Sequence, residues 1–259
     1  MALQDDREET SAGLVKPFLG HMEDLRRTII WIGLSLVAGM VIAFPLAPWI
    51  IAVLKIPLRD AGKDPEQFLR VIEVTGGLSL AMQVIMWTGI LLSAPFILLF
   101  IARFVFPGLK RRERKAVLNS LALAVVLFVV GVAVGYGMIL RVTLAWMFQI
   151  NDWLGLKVEF VRVTDYISFV LKLLLAFGLM FEFPVVILVL ARLGLVTARF
   201  LGSKRRHVVV ILLFASAVIT PTVDPVTQVL LAAPLYVLYE MCIWTTWLME
   251  RQAAAVAKA

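Results

Sequence analysis

The sequence predicts an all-α membrane protein: six transmembrane helices, kinked and arranged as a concave bundle, with both termini cytoplasmic and the last two helices short. Three observations carry that prediction. First, hydrophobic residues make up 61% of 259 positions, and the mean hydropathy is +0.94. That is too apolar for a soluble domain, which must clothe its core in polar side chains. Second, the apolar residues gather into long runs, and about 20 of them at about 1.5 Å each cross roughly 30 Å of hydrocarbon. Third, the basic residues alternate between the ends of those runs. Seventeen lysines and arginines fall on one side of a six-span layout and seven on the other, with Lys172 inside a span. The richer side is the cytoplasmic one, because translocation disfavours positive loops.

The first 16 residues are polar, carry both charge signs and show no periodicity, so they read as a disordered tail. They are not a signal peptide, since the first apolar run is longer than an h-region and more runs follow. From Pro17 a short helix is expected, with Phe18, Met22, Leu25 and Ile29 on one stripe and His21, Glu23, Asp24 and Arg27 opposite. Such a helix lies at the interface and leads into a first span over 28–51. Residues 52–77 form a polar loop with Pro57, Gly62, Pro65 and the pair Gly76 and Gly77.

The second span covers 78–102 and contains Pro95. A basic turn follows, in which Arg103, Lys110, Arg111, Arg112, Arg114 and Lys115 surround Glu113. The third span, 116–140, carries Gly131 and Gly135, whose spacing lets a neighbouring helix approach closely. A loop over 141–165 leads to the fourth span, 166–191. The basic stretch 192–207 precedes a fifth run, 208–220, that is only about 20 Å long. Pro221 and Pro225 bracket a tight turn before the sixth span, 226–248, which holds Pro234 and Glu240. Residues 249–259 form a C-terminal tail, and 17–248 make one membrane domain.

Glu182 is the anomaly of the fourth span. It lies about ten residues from the nearer polar flank, where a charged carboxylate costs roughly 2.5 kcal/mol or more, so it faces the protein interior or a wet cavity. Lys172 is about 15 Å away along the axis and on a different face, so the two do not pair within the helix. Pro184 removes the amide that would bond the Met180 carbonyl, which predicts a kink beside the carboxylate.

These features narrow the function. One cysteine, Cys242, and two histidines, His21 and His207, provide no metal-ligand cluster, and no cofactor is expected. The net charge of +7 orients the chain in a bilayer rather than marking a nucleic-acid binder. An intramembrane protease has no Ser-His dyad here, because both histidines flank spans. A proton-coupled transporter would use Glu182 and Lys172, yet the spans do not divide into similar halves. Taken alone, Glu113 reads as an ion pair among its basic neighbours, Asp24 as an i,i+3 partner of Arg27, and Glu240 as a side chain reaching the interface.

Six stretches, in order, resemble the TatC family of the twin-arginine protein translocase. They are HMEDLRR at His21 to Arg27, LLSAP at Leu91 to Pro95, FPGLKRRERK at Phe106 to Lys115, YISFVLKLLLAFGLMFEFPV at Tyr166 to Val185, ITPTVDPVTQ at Ile219 to Gln228 and LLAAPLYVLYE at Leu230 to Glu240. The resemblance implies a non-enzymatic receptor and core subunit in the cytoplasmic (inner) membrane. It would export folded proteins at the expense of the proton-motive force. The implied partners are the twin-arginine signal peptides of folded cargo, single-span subunits of the TatA and TatB type and other copies of itself, with no nucleic acid.

In that family two cytoplasmic carboxylates hold the paired arginines of the signal, and the matching positions here are Glu113 and Asp24. Phe104 matches an aromatic near that site, and Arg26 belongs to the same N-terminal motif. Thr220 and Gln228 match polar positions associated with docking of the partner subunits. Glu182 matches the glutamate of the fourth-span signature, where a polar intramembrane cavity is implied. The chain departs from the pattern at Asp24, one methylene shorter than the family's glutamate, at Gly76 and Gly77 in place of Ser-Pro, and at Gln83 and Phe100.

Overall fold

The computed structural model describes residues 5–105, 111–192, 194–219 and 225–256, excepting the side chains of 5–19, 21, 102, 103, 105, 111–122, 219, 227 and 253–256. Its first element is one unbroken helix, α1 (Asp5–Asp60). This corrects the expected tail and separate interfacial helix, and it carries the first span beyond its expected end at Ile51. The extension is favoured by burial, since Leu54, Pro57 and Leu58 all face the core. Pro57 has no N–H for the carbonyl of Val53. The Tyr136 hydroxyl replaces that donor at 2.7 Å, and the Tyr166 hydroxyl donates to the next carbonyl, that of Leu54, at 2.8 Å.

A short helix, α2 (Pro65–Phe68), follows, capped by the Asp64 carboxylate accepting from the Glu66 N–H at 3.1 Å. Then comes β1 (Leu69–Arg70), which pairs in parallel with β2 (Val161–Arg162), Leu69 opposite Val161. This two-stranded bridge is a small departure from an all-helical chain. It joins two loops far apart in sequence, and Arg162 to Glu73 (3.2 Å), Arg141 to Asp60 (2.9 Å) and Lys63 over the Phe148 ring (5.2 Å) fasten the same region.

Next are α3 (Gly76–Val105), α4 (Arg111–Val134), a π-helical turn (Gly135–Ile139) and α5 (Leu140–Trp153). The last three are continuous, so the loop expected from Arg141 begins only after Trp153. Burial of Leu140, Thr143 and Leu144 on one side explains why that segment stays helical. The chain continues with α6 (Val163–Phe181), α7 (Phe183–Arg192), α8 (Ala198–Ser203), α9 (Arg205–Ile219) and α10 (Pro225–Val256). Among the described residues, five helical stretches are long and apolar enough to cross a membrane. Helix α9, at 15 residues, is about 22 Å long.

Helix α6 is the hub. Ile167, Val170, Leu173 and Phe177 on one stripe are buried, and α6 packs against both α3 and α4. Glycines set the closest approaches. A Cβ on Gly131 would lie 2.7 Å from the Phe177 carbonyl oxygen, and one on Gly178 would lie 2.7 Å from the Phe128 ring. Helices α1 and α3 cross in the same way, since a Cβ on Gly39 would meet the Gly89 carbonyl at 2.5 Å. The expectation of a close helix contact at Gly131 and Gly135 is therefore met by α6, within the same chain.

Candidate functional site

Helices α1 and α3 run antiparallel, because Gly39 meets Gly89 while Trp31 stacks on Phe100 with ring centroids 6.1 Å apart. Two turns before Trp31 stand Asp24 and Arg26, and one turn beyond Phe100 stands Phe104. These residues therefore share one end of the helix pair. Asp24 and Arg26 are exposed, and the Thr28 hydroxyl bonds the Asp24 carbonyl at 2.8 Å, leaving the carboxylate free of that contact. Phe104 is half-buried and engaged with its surroundings. Glu113 lies in the first turn of α4, and its side chain is outside the described residues. The five residues between α3 and α4 span at most about 20 Å, so the start of α4 belongs to the same end of the molecule.

The second feature is Glu182. It occupies the break between α6 and α7, where its N–H reaches the Leu179 carbonyl at 3.1 Å and its own carbonyl starts the next helix by accepting from Val185 at 3.0 Å. Pro184 accounts for the break, since it cannot donate to Met180. Glu182 is only 5% exposed, and its Oε1 is buried without a hydrogen-bond partner among the described residues. Lys172 is not that partner: it is exposed and rests over the Trp87 ring at 5.7 Å. One turn away, Gln83 Nε2 donates to Ser168 Oγ at 2.5 Å. Uncompensated carboxyl groups in apolar surroundings are costly and mark sites of use more often than of support.

Residues 20–234 match the family model described as Sec-independent protein translocase protein (TatC). The chain is 33% identical over 243 residues to the Sec-independent protein translocase protein TatC of Aquifex aeolicus, covering 94% of this chain and all of that one. It is 32% identical over 224 residues to the protein of the same name from Carboxydothermus hydrogenoformans, covering 86% and 90%. Its fold matches a crystal structure titled as the twin arginine translocase receptor TatC, with a TM-score of 0.77 and 32% identity over 87% of this chain and 97% of that one. The chain belongs to the TatC family.

For this TatC-family chain, the remaining expected site residues are distributed as follows. Gln228 is half-buried in the first turn of α10, and Thr220 lies outside the described residues. Glu240 does not merely reach for the interface. Its carboxylate takes both arms of Arg205, Nε to Oε1 at 2.7 Å and Nη2 to Oε2 at 2.8 Å, and the Tyr236 hydroxyl donates to Oε1 at 2.8 Å. The hydrogen bond to Glu240 raises the pKa of the Arg205 guanidinium above its ordinary value. Sequence reasoning missed this cluster. The i,i+4 spacing of Tyr236 and Glu240 was available, but nothing in the chain order points to Arg205, 35 residues earlier.

Proposed function

We propose that this protein is the core subunit of a twin-arginine translocase. It binds twin-arginine signal peptides at the end of the molecule shared by Asp24, Arg26, Phe104 and the first turn of α4, and it scaffolds export of folded proteins driven by the proton-motive force. The antiparallel α1 and α3 pair is the observation that carries this reading. It gathers an exposed carboxylate, an aromatic ring and the Glu113 turn, although 80 residues separate Asp24 from Phe104 in the chain. Guanidinium groups stay charged and engage carboxylates in bidentate fashion, which suits two carboxylates to a paired-arginine ligand. The end in question is the cytoplasmic one, with α9 as a short fifth of six spans and both termini on that side. Glu182 then lines a polar intramembrane surface along which the signal's apolar segment lies. Gln228, in the first turn of α10, faces single-span partner subunits, and Thr220 serves the same docking.

The test is crosslinking of the detergent-solubilised protein to a synthetic export signal bearing Arg-Arg, beside the same peptide bearing Lys-Lys. The expected outcome is Arg-dependent crosslinking that Glu113→Gln abolishes and Asp24→Asn weakens. Equal crosslinking of the two peptides, or no effect of Glu113→Gln, would remove these carboxylates from the site.

A further inference from the structure

At the end of α1 remote from Asp24, the buried side of the helix is formed by Ala47, Leu54, Pro57 and Leu58. The opposite side carries Trp49, Ala52, Ile56 and Arg59, spaced three, four and three residues apart on one exposed stripe. A hollow of about 420 Å³ runs along this stripe, closed at its end by Glu66 of α2 and flanked by Lys55. The hollow is apolar at the Pro48 and Trp49 end and charged at the Arg59 end, ten residues or about 15 Å further along the helix. Its two cations differ in commitment. Lys55 Nζ is 3.3 Å from Glu66 Oε1, whereas Arg59 forms no ion pair among the described residues, and its neighbouring acid Asp60 is taken by Arg141.

We infer that this hollow binds the phosphodiester head group of a bilayer phospholipid, with one acyl chain lying along Ile56, Ala52 and Trp49. The argument is charge complementarity at the end of a long apolar helix. Arg59 and Lys55 present donors to a phosphate at the end of a membrane span, and the apolar floor begins one turn below them, where the lipid's chains start. Trp49 sits about 15 Å along the helix from Arg59, within the reach of an acyl chain, and its exposed indole supplies a flat wall. The carboxylate of Glu66 beside the two cations accommodates an ammonium next to the phosphate. The inference uses only the placement of α1 in a bilayer and is independent of how the export signal is read.

The experiment is native mass spectrometry of the delipidated full chain in detergent, titrated separately with phosphatidylethanolamine, phosphatidylglycerol and diacylglycerol of the same chains. One tightly retained phospholipid is expected, with diacylglycerol retained far less. Lys55→Gln with Arg59→Gln should weaken retention about tenfold or more. Ala52→Trp, which fills the floor from the lipid side, should weaken it by blocking the chain instead, with an unchanged elution profile showing that the fold is kept. Equal retention of diacylglycerol would reduce the site to an apolar groove and overturn the head-group assignment. Retention untouched by both variants would place the lipid elsewhere, and no retention above nonspecific levels would end the proposal.

Discussion

Two carboxylates of this protein, Glu240 in α10 and Glu182 at the break between α6 and α7, have opposite surroundings. Glu240 has its oxygens occupied by the Arg205 fork and the Tyr236 hydroxyl. Glu182 is more deeply buried, yet its Oε1 has no partner among the described residues. The first arrangement joins α9 to α10 and works as a fastener, because both carboxylate oxygens are already matched. The second leaves polar capacity unused inside the bundle, at the one place where the fourth apolar run is broken. Satisfied polar groups specify structure, while an unsatisfied one at a helix break is available to something that arrives later.

The comparison can be broken most severely at the packing around Glu182. Gly131→Val would drive a side chain into the Phe177 carbonyl and the Phe181 ring, neither of which is a flexible tip. A loss of about 3 kcal/mol is expected, read as a lower Tm in detergent and reduced yield of monodisperse protein. A tolerated valine would mean that the seam is looser than its geometry.

The next largest effect is expected at a satisfied hydroxyl. Tyr136→Phe leaves the Val53 carbonyl of α1, already without an amide because of Pro57, without the hydroxyl that replaced it. The expected cost is about 1 kcal/mol, again measured as Tm, with export reduced no more than the stability loss accounts for.

A smaller change should follow from opening the fastener. Arg205→Glu lowers Tm modestly, since the pair is partly exposed, and Glu240→Arg in the same chain restores it. Failure of the exchange to restore stability would show that Tyr236, rather than the ion pair, holds the hairpin.

The smallest stability effect and the sharpest separation belong to Glu182. Glu182→Gln should change stability, read as Tm, by no more than about 1 kcal/mol, because the buried Oε1 has no hydrogen-bond partner to lose among the described residues, while export of a twin-arginine reporter falls. Full export at normal protein levels would assign Glu182 to architecture and collapse the distinction from Glu240.

How much of this was legible in the chain can be judged from particular residues. The break at Glu182 follows from Pro184 alone, a local effect with a range of four residues. The close approach at Gly131 was readable as a pattern, although its partner was not: the Phe177 and Phe181 face of α6 is known only from the packed fold. The ends of the elements were misread in the same direction each time. Helix α1 runs beyond Ile51 and α5 beyond Arg141, because tertiary burial of Leu58 and Leu144 outweighs the polar residues that mark an end in sequence. The parallel bridge between Leu69 and Val161 had no signature, since two residues per strand are too few for periodicity to register. The carboxylates proposed to bind the signal, Asp24 and Glu113, were reached through resemblance, and it is the Trp31 and Phe100 stack that brings the helix ends carrying them to one end of the molecule.

The sequence by itself therefore determined that this chain is a bundle of apolar helices, how its basic residues are divided between the two ends, and that one carboxylate is stranded at depth. Hydropathy, charge and proline geometry act over one segment at a time, so they can be read without neighbours. Which helices touch, which hydroxyl replaces a missing amide, and which carboxylate keeps a free oxygen were decided by tertiary structure alone. Those outcomes depend on side chains from distant segments meeting across a few ångströms, and chain order does not encode that distance.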